Sequence, residues 1–126
     1  YAHEVVTHSA TMIPIPDGVT DEQALCMLVQ GSTAWHILKT VGHVQPGETV
    51  VVHAAAGGVG TIAIQLAKMW GAKVIAVASS EGKRALATSL GADAVVEATH
   101  ENLGDAIKAV AAGAVLPLAW KLTNSK

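Results

Sequence analysis

The run His53-Ala54-Ala55-Ala56-Gly57-Gly58-Val59-Gly60 holds the residues of this chain best suited to chemistry. It follows an apolar stretch of strand character, Thr49 to Val52, and leads into Val59 to Trp70, where apolar residues recur at helical spacing. A glycine turn between a strand and a helix lets a pyrophosphate lie against backbone N–H groups at the positive end of the helix. The spacing approximates Gly-x-Gly-x-x-Gly, with Ala55 in the first place and Gly57 and Gly60 in the second and third. A Cβ at Gly57 would intrude on a pyrophosphate, Gly60 would allow close helix–strand packing, and Ala55 is small enough to permit the turn. Small residues here also suit a tight strand–helix contact with nothing bound. The phosphate-loop ATPase pattern is excluded, because no Gly-Lys-Ser/Thr follows.

A second polar set, Ser79-Ser80-Glu81-Gly82-Lys83-Arg84, follows the next apolar stretch, Lys73 to Ala78. At this place an NAD-selective site puts a carboxylate that accepts from the ribose 2′-OH. A carboxylate would repel a 2′-phosphate; serines with a nearby Lys83 and Arg84 leave room for one. Ser79 can donate a hydrogen bond and Lys83 a charge, so NADPH is expected in preference to NADH. Glu81 opposes this reading, although one step into a helix it would favour the positive N-terminus. Lys83 and Arg84 would equally suit a solvated helix face.

The elements that must hold these residues are legible from periodicity. Residues 1–16 alternate loosely and end in Ile13-Pro14-Ile15-Pro16, which suits an extended edge segment. Asp17-Gly18 is a turn. Thr20 to Gln23 reads as a capping box that opens a short helix through about Val29. Gly31 interrupts, and Ser32 can cap a second helix to about Thr40. After the turn Gln45-Pro46-Gly47-Glu48, a strand is expected over Thr49 to His53. In the next helix Val59, Ile62, Ala63, Leu66, Ala67 and Trp70 share one face, and Gly71 ends it. Lys73 to Ala78 has the continuous apolar character of a parallel strand covered on both faces. Ser79 or Ser80 can cap a helix to about Leu90, which Gly91 closes. A short strand over Ala94 to Val96 and a helix from about Glu101 to Ala112 complete the pattern. The fold class is α/β, with right-handed crossovers.

The 126 residues form one domain by length, and 51% hydrophobic against 14% charged residues argues for a packed core over disorder. Net charge is −2, no basic stripe is present and aromatic residues are 3%, which argues against a nucleic-acid partner or an anionic membrane surface. No apolar run reaches the length of a membrane span, and the start, Tyr1-Ala2-His3-Glu4, does not read as a signal peptide. The single Cys26 precludes an internal disulfide and fits a cytoplasmic setting. The six histidines lack the Cys/His clustering of a structural zinc site. His36 and His43 read as surface or cap residues, His53 as a packed histidine and Cys26 as core. Without an initiator Met, the chain is expected to be a piece of something longer.

From Tyr1 to about Ala109 the sequence resembles the zinc-independent quinone oxidoreductases, the zeta-crystallin-like branch of the medium-chain dehydrogenase/reductase superfamily. The matching pieces are Pro14 to Gly18, Gln30 to Trp35, Val44 to Val50, His53 to Gly60, Gln65 to Lys68 and Gly91 to Val96, in order and at the right spacing. The resemblance implies NADPH-dependent hydride transfer to a small-molecule quinone or α,β-unsaturated carbonyl (enone). It makes the alanine expected, through an Ala-x-x-Gly-x-x-Gly pattern at Ala54, Gly57 and Gly60. It implies that Gly57, Gly58 and Val59 line the pyrophosphate and that Ser79 and Lys83 hold the 2′-phosphate. Thr33, and with less weight Gln30, would sit near the nicotinamide. Zinc-using relatives carry a Cys ligand where this chain has Val29, so no metal is implied.

Two features depart from the family. A Tyr that often contacts the 2′-phosphate is replaced at about Ala98, and the segment after Gly113 does not follow the family pattern. The expected organisation is a remnant of the catalytic-lobe edge with its connecting helices over 1–44, a partial dinucleotide-binding domain over 45–113 and a divergent tail over 114–126. The sheet would be Rossmann-type, truncated to about three βα units, and the third strand's far edge would invite a homodimer. Three functions compete: an NADPH-dependent quinone or enone reductase, a cofactor-binding module without turnover of its own, and a purely structural piece. An enoyl-reductase module of a polyketide synthase would share the His53-to-Gly60 loop. No catalytic acid or base can be named within these residues.

Overall fold

A computed structural model describes residues 3–98 and 103–111 of the chain, apart from the side chains of 110 and 111. Three strands, β1 (Thr49–Val52), β2 (Lys73–Ala78) and β3 (Ala94–Glu97), form one parallel sheet in the order β1-β2-β3. Val50 pairs with Val74 across β1 and β2, and Ala76 with Val95 across β2 and β3. The helices α3 (Gly58–Met69), α4 (Glu81–Ser89) and α5 (Leu103–Ala111) follow the three strands in turn. This is the α/β pattern of three βα units that the periodicity predicts. The expected tail over 114–126 lies outside the described residues.

Strand side chains alternate between two cores. Val50, Val52, Val74, Ala76 and Val95 join the larger one with α3, α4 and the preceding helices. Val51, Ile75, Val77, Ala94 and Val96 face the other side, where Leu103, Ala106 and Ile107 of α5 cover them. Burial on both faces explains why β2 shows an unbroken apolar run after Lys73. The large aliphatic core residues Ile64, Val74 and Val77 are less than 2% exposed. Ile64 falls outside the apolar face expected of α3. The helix is wedged between the sheet and the preceding helices, so its buried arc is wider than a single stripe.

The N-terminal part differs from expectation. Residues 3–19 are exposed; the extended segment expected here pairs with no strand among the described residues and contains a short 3-10 turn, Ser9–Thr11. The Thr20–Gln23 capping box does form, with Gln23 N–H donating to Thr20 Oγ1 (3.3 Å) and Thr20 N–H donating to Gln23 Oε1 (3.0 Å). The helix then does not break at Gly31. α1 (Asp21–Cys26) and α2 (Ser32–Trp35) are joined by a wide π turn, Met27–Gly31, and a second π turn, His36–Val41, extends the run. Gly31 is buried against the Met27 side chain, so it serves packing, not termination. Ser32 caps nothing; its hydroxyl donates back to the Leu28 carbonyl (2.6 Å), as a serine inside a helix does.

Two single residues also differ from expectation. Cys26 is exposed rather than core, because α1 lies outside the covering layer and buries none of its residues. His53 is exposed rather than packed: it stands one position past β1, where the chain turns out of the sheet. His36 and His43 are exposed.

Side chains at the far end of α3 fix the layer. Trp35 and Trp70 meet edge to face, with ring centroids 5.0 Å apart. The Lys39 ammonium lies 4.8 Å from the Trp70 ring centroid and donates to the Val44 carbonyl (3.4 Å). Beneath β2 and β3, Asp93 exchanges backbone and side-chain bonds with Val74. Its N–H donates to the Val74 carbonyl (2.9 Å), its carboxylate accepts from the Val74 N–H (2.7 Å), and Lys68 of α3 closes the triangle at 2.8 Å.

Candidate functional site

β1 and β2 are parallel neighbours, so the loops that leave them emerge at the same carboxyl edge of the sheet. The first is the glycine loop. Ala55 is wholly buried, and its N–H donates to the Val77 carbonyl (3.1 Å), which carries the β1–β2 pairing beyond Val52. The turn itself is made at Ala54, whose φ of +49° lies in the left-handed region. That conformation costs a non-glycine residue about 1–2 kcal/mol. The strained position is thus one residue earlier than Ala55, to which Gly-x-Gly-x-x-Gly spacing assigned it. Ala54 also sets the loop's other demands. Its carbonyl accepts from Gly57 N–H (2.8 Å), and a Cβ on Gly60 would lie 2.5 Å from that same oxygen.

Gly57 is the N-cap of α3, in an ordinary extended conformation, and its carbonyl accepts the bond from Thr61 N–H (2.9 Å). Gly58, Val59 and Gly60 therefore precede the first N–H of the helix that its own backbone satisfies. With no acidic residue in the first turn, the chain leaves the positive pole of α3 uncompensated. Gly57 and Gly58 are exposed, Val59 is half-buried and Gly60 is buried. The N–H of Gly57 is already committed to Ala54, so the donors available to an anion are those of the three residues after it.

The π turn before α2 brings a further group to this loop. The Gln30 side chain lies over Gly58, with its Cγ 3.0 Å from where a Cβ would stand. Gln30 is therefore at the N-terminus of α3, a contact that the sequence reading, which put Gln30 near the nicotinamide, did not anticipate. Thr33, one turn along, is half-buried and lines an open depression with Ser32, His36 and Ile37. An apolar cavity of about 340 Å³ opens beside the loop; Val50, Val52, Ala34, Leu38 and Ala63 form its walls, with Gly57 and Gly60 also lining it.

The second loop is polar. Ser80, not Ser79, caps α4, its Oγ accepting from Lys83 N–H at 3.4 Å. Ser79 and Lys83 are exposed, and among the described residues the Lys83 ammonium has no ion-pair partner. Arg84 is not the solvated neighbour that the sequence left open. It donates to the Ala78 carbonyl (3.3 Å) and faces Glu97 at 3.6 Å. Ala98, which stands where the family often has Tyr, donates its N–H to the same Ala78 carbonyl (3.3 Å). The sequence reading missed the Arg84–Glu97 link because helical periodicity places Arg84 on α4 without relating it to the end of β3.

Together the two loops offer unsatisfied N–H donors at a helix N-terminus, an exposed Gly57 that brings no side chain of its own, and an exposed cation in the first turn after β2. These are the elements of a site for an extended phosphate-bearing ligand. Among the described residues no three His, Cys, Asp or Glu side chains gather as a metal site, and no helix is long and apolar enough to cross a membrane.

Known proteins agree with this geometry. Residues 58–124 match the family model of the zinc-binding dehydrogenases. Over 105 residues the chain is 40% identical to a phenolphthiocerol/phthiocerol polyketide synthase polypeptide of Mycobacterium tuberculosis, covering 80% of this chain and 5% of that one. It is 33% identical over 120 residues to a quinone oxidoreductase of Pseudomonas aeruginosa, covering 95% of this chain and 37% of that one. The crystal structure of Escherichia coli quinone oxidoreductase complexed with NADPH superposes with a TM-score of 0.73 at 35% identity, over 79% of this chain and 30% of that one. The chain thus spans about a third of the quinone oxidoreductases it matches, and a far smaller share of the synthase. A parallel sheet with the glycine loop after β1 and this degree of identity settle its kinship: the chain belongs to the zinc-binding dehydrogenase family, within the medium-chain dehydrogenase/reductase superfamily.

Proposed function

We propose that this chain supplies the pyrophosphate- and adenosine-binding half of an NADPH site in a quinone or enone reductase. The observation that carries the proposal is the free first turn of α3, where the N–H groups of Gly58, Val59 and Gly60 precede the first in-helix bond, no side chain caps them, and Gln30 lies beside Gly58. A Cβ on Gly58 would run into Gln30, so the present residues form a cradle that a larger residue would fill. Gly57, Gly58, Val59 and Gly60 would hold the pyrophosphate, with Ala54 and the buried Ala55 fixing the loop beneath it. Ser79 and Lys83 would hold the 2′-phosphate, and Thr33 and Gln30 would lie toward the nicotinamide. When bound, NADPH supplies the hydride; the chain's residues bind and orient it.

The reading extends to four coarser matters. Val29 stands at the place of the family's Cys ligand and has no donor atom, which supports hydride transfer without zinc. The substrate is a small quinone or enone, by kinship with the quinone oxidoreductases. A cytoplasmic setting fits the lone cysteine. Among the described residues β1 and β3 each pair only with β2, and such edges favour a homodimer through strand addition.

A second reading has its own support. Identity of 40% to a polyketide synthase makes an enoyl-reductase module the alternative parent. Titration of the chain with NADPH, followed by fluorescence and by quinone-dependent absorbance loss at about 340 nm, tests the cofactor site that both parents share. Saturable binding without turnover supports a cofactor-binding module, and turnover supports a reductase complete in this chain. No binding at millimolar NADPH would remove the proposal.

A further inference from the structure

We propose that Arg84 is a second 2′-phosphate ligand and that Glu97 restrains it, so that this pair sets the strength of discrimination between phosphorylated and unphosphorylated adenosine. The proposal rests on the NADPH reading above and deepens it. Arg84 stands in the first turn of α4, next to Lys83, and its side chain runs back toward the sheet rather than into solvent. Its Nη1 donates to the carbonyl of Ala78, the last residue of β2, immediately before Ser79. The guanidinium therefore lies at the carboxyl end of β2, where the 2′-phosphate is expected.

Glu97 is the residue paired with Ala78 in the β2–β3 register, and it ends β3. Its Oε1 is 3.6 Å from Arg84 Nη1, an ion pair longer than a well-formed charge-assisted hydrogen bond. Its side chain is 57% exposed against 22% for Arg84. Both Arg84 contacts use Nη1, and among the described residues Nε and Nη2 have no hydrogen-bond partner. A guanidinium carries five N–H donors in a planar fork, so these are available to phosphate oxygens while Nη1 stays on the Ala78 carbonyl. Ala98 follows directly and brings no side-chain donor to this edge. Arg84 thereby supplies from α4 a contact that the end of β3 lacks.

The carboxylate of Glu97 acts against this use. It holds Arg84 toward β3 and places a negative charge at the edge that a doubly charged phosphate would approach. A 2′-hydroxyl carries no such charge and is not repelled by the carboxylate. The competition therefore acts on nucleotides that bear the 2′-phosphate and leaves the others unaffected.

The test uses the full chain and two probes that contain only the adenosine half, 2′,5′-ADP and 5′-AMP, titrated by calorimetry. Glu97→Gln should tighten 2′,5′-ADP by roughly three- to tenfold and leave 5′-AMP within twofold. Arg84→Gln should weaken 2′,5′-ADP by roughly tenfold or more, again sparing 5′-AMP, and Arg84→Lys should recover part of the loss. Melting temperature reports whether each variant folds, and Glu97→Gln keeps the test decisive if Arg84→Gln does not. A wild-type preference for 2′,5′-ADP that Glu97→Gln leaves unchanged, or equal shifts for both probes, would overturn the proposal while leaving the NADPH reading intact. Failure of the wild type to bind either probe would overturn both.

Discussion

The carbonyl oxygen of Ala54 lies 2.5 Å from the place a Cβ on Gly60 would occupy, and the backbone of Ala55 is only 2.9 Å away. Both obstacles are backbone, held by the Ala55 N–H bond to Val77, so neither can yield without loosening β1 from β2. Gly60→Ala should therefore destabilise the chain by about 1–3 kcal/mol, the usual cost of overpacking. A thermal melt should show a fall of several degrees in Tm. An unchanged Tm would mean that the strand–helix contact is looser than this geometry.

Gly57 separates the fold from the ligand. Its φ of −83° and ψ of 169° suit any residue, and a Cβ there would meet only the Ala54 carbonyl, at 3.1 Å. Gly57→Val should keep the circular dichroism spectrum, at a stability cost of about 1–3 kcal/mol from the close Ala54 carbonyl. The added side chain would stand at the mouth of α3's free first turn, so binding of both NADPH and NADH should be abolished. A folded Gly57→Val chain that binds nucleotide with unaltered affinity would take the loop out of the site.

Asp93 gives the stability of the chain an acid limb. Burial alone would raise its carboxyl, but the Lys68 hydrogen bond, the Val74 N–H and the Lys68 charge together outweigh burial and hold it below the ordinary carboxylate value. A depressed folded value means that the stabilisation is fully present above the unfolded value, near pH 4. It is lost as the pH falls through the lower folded value. The side chains of Lys68 and Asp93 are 33% and 45% exposed, so solvent screens the pair and its worth is modest. Asp93→Asn should cost about 1 kcal/mol at neutral pH. It should also flatten the fall in urea stability between about pH 5 and pH 2. A variant with the wild-type acid profile would show that other carboxylates set it.

Much of this was legible from the residues because the relevant physics is local. The continuous apolar run of β2, the α3 periodicity and the Thr20–Gln23 box each depend on neighbours in sequence, and each stands where expected. The errors came where tertiary contact overrides local preference. Gly31 looks like a breaker, yet it is buried beneath Met27 and the helix continues through it. Glycine spacing marked Ala55, while the left-handed backbone is at Ala54, because Ala55 is needed to extend strand pairing to Val77. His53 and Cys26 were misplaced for a related reason: apolar surroundings in sequence do not reveal which side of a layer a residue occupies. The joining of Arg84 to Glu97, and of Gln30 to Gly58, spans elements whose relative placement no periodicity encodes.

Lys83 provides the sharpest test of cofactor choice. Its backbone N–H is bound to Ser80, so the first turn of α4 is fixed, whereas its ammonium is exposed and has no ion-pair partner among the described residues. Replacing it with glutamate leaves the cap in place and reverses the charge where a 2′-phosphate would sit. Lys83→Glu should weaken NADPH roughly ten- to a hundredfold, about 1.5–3 kcal/mol. NADH, which presents a hydroxyl at that position, should lose far less. The ratio of the two dissociation constants is the decisive readout, because a general disturbance of α4 would weaken both nucleotides alike. Raising the salt concentration should narrow the NADPH loss, since an exposed charge is screened over about 10 Å at 0.1 M ionic strength. Equal losses for NADPH and NADH, at low and high salt, would show that the exposed lysine is a solvated helix residue with no part in selecting the cofactor.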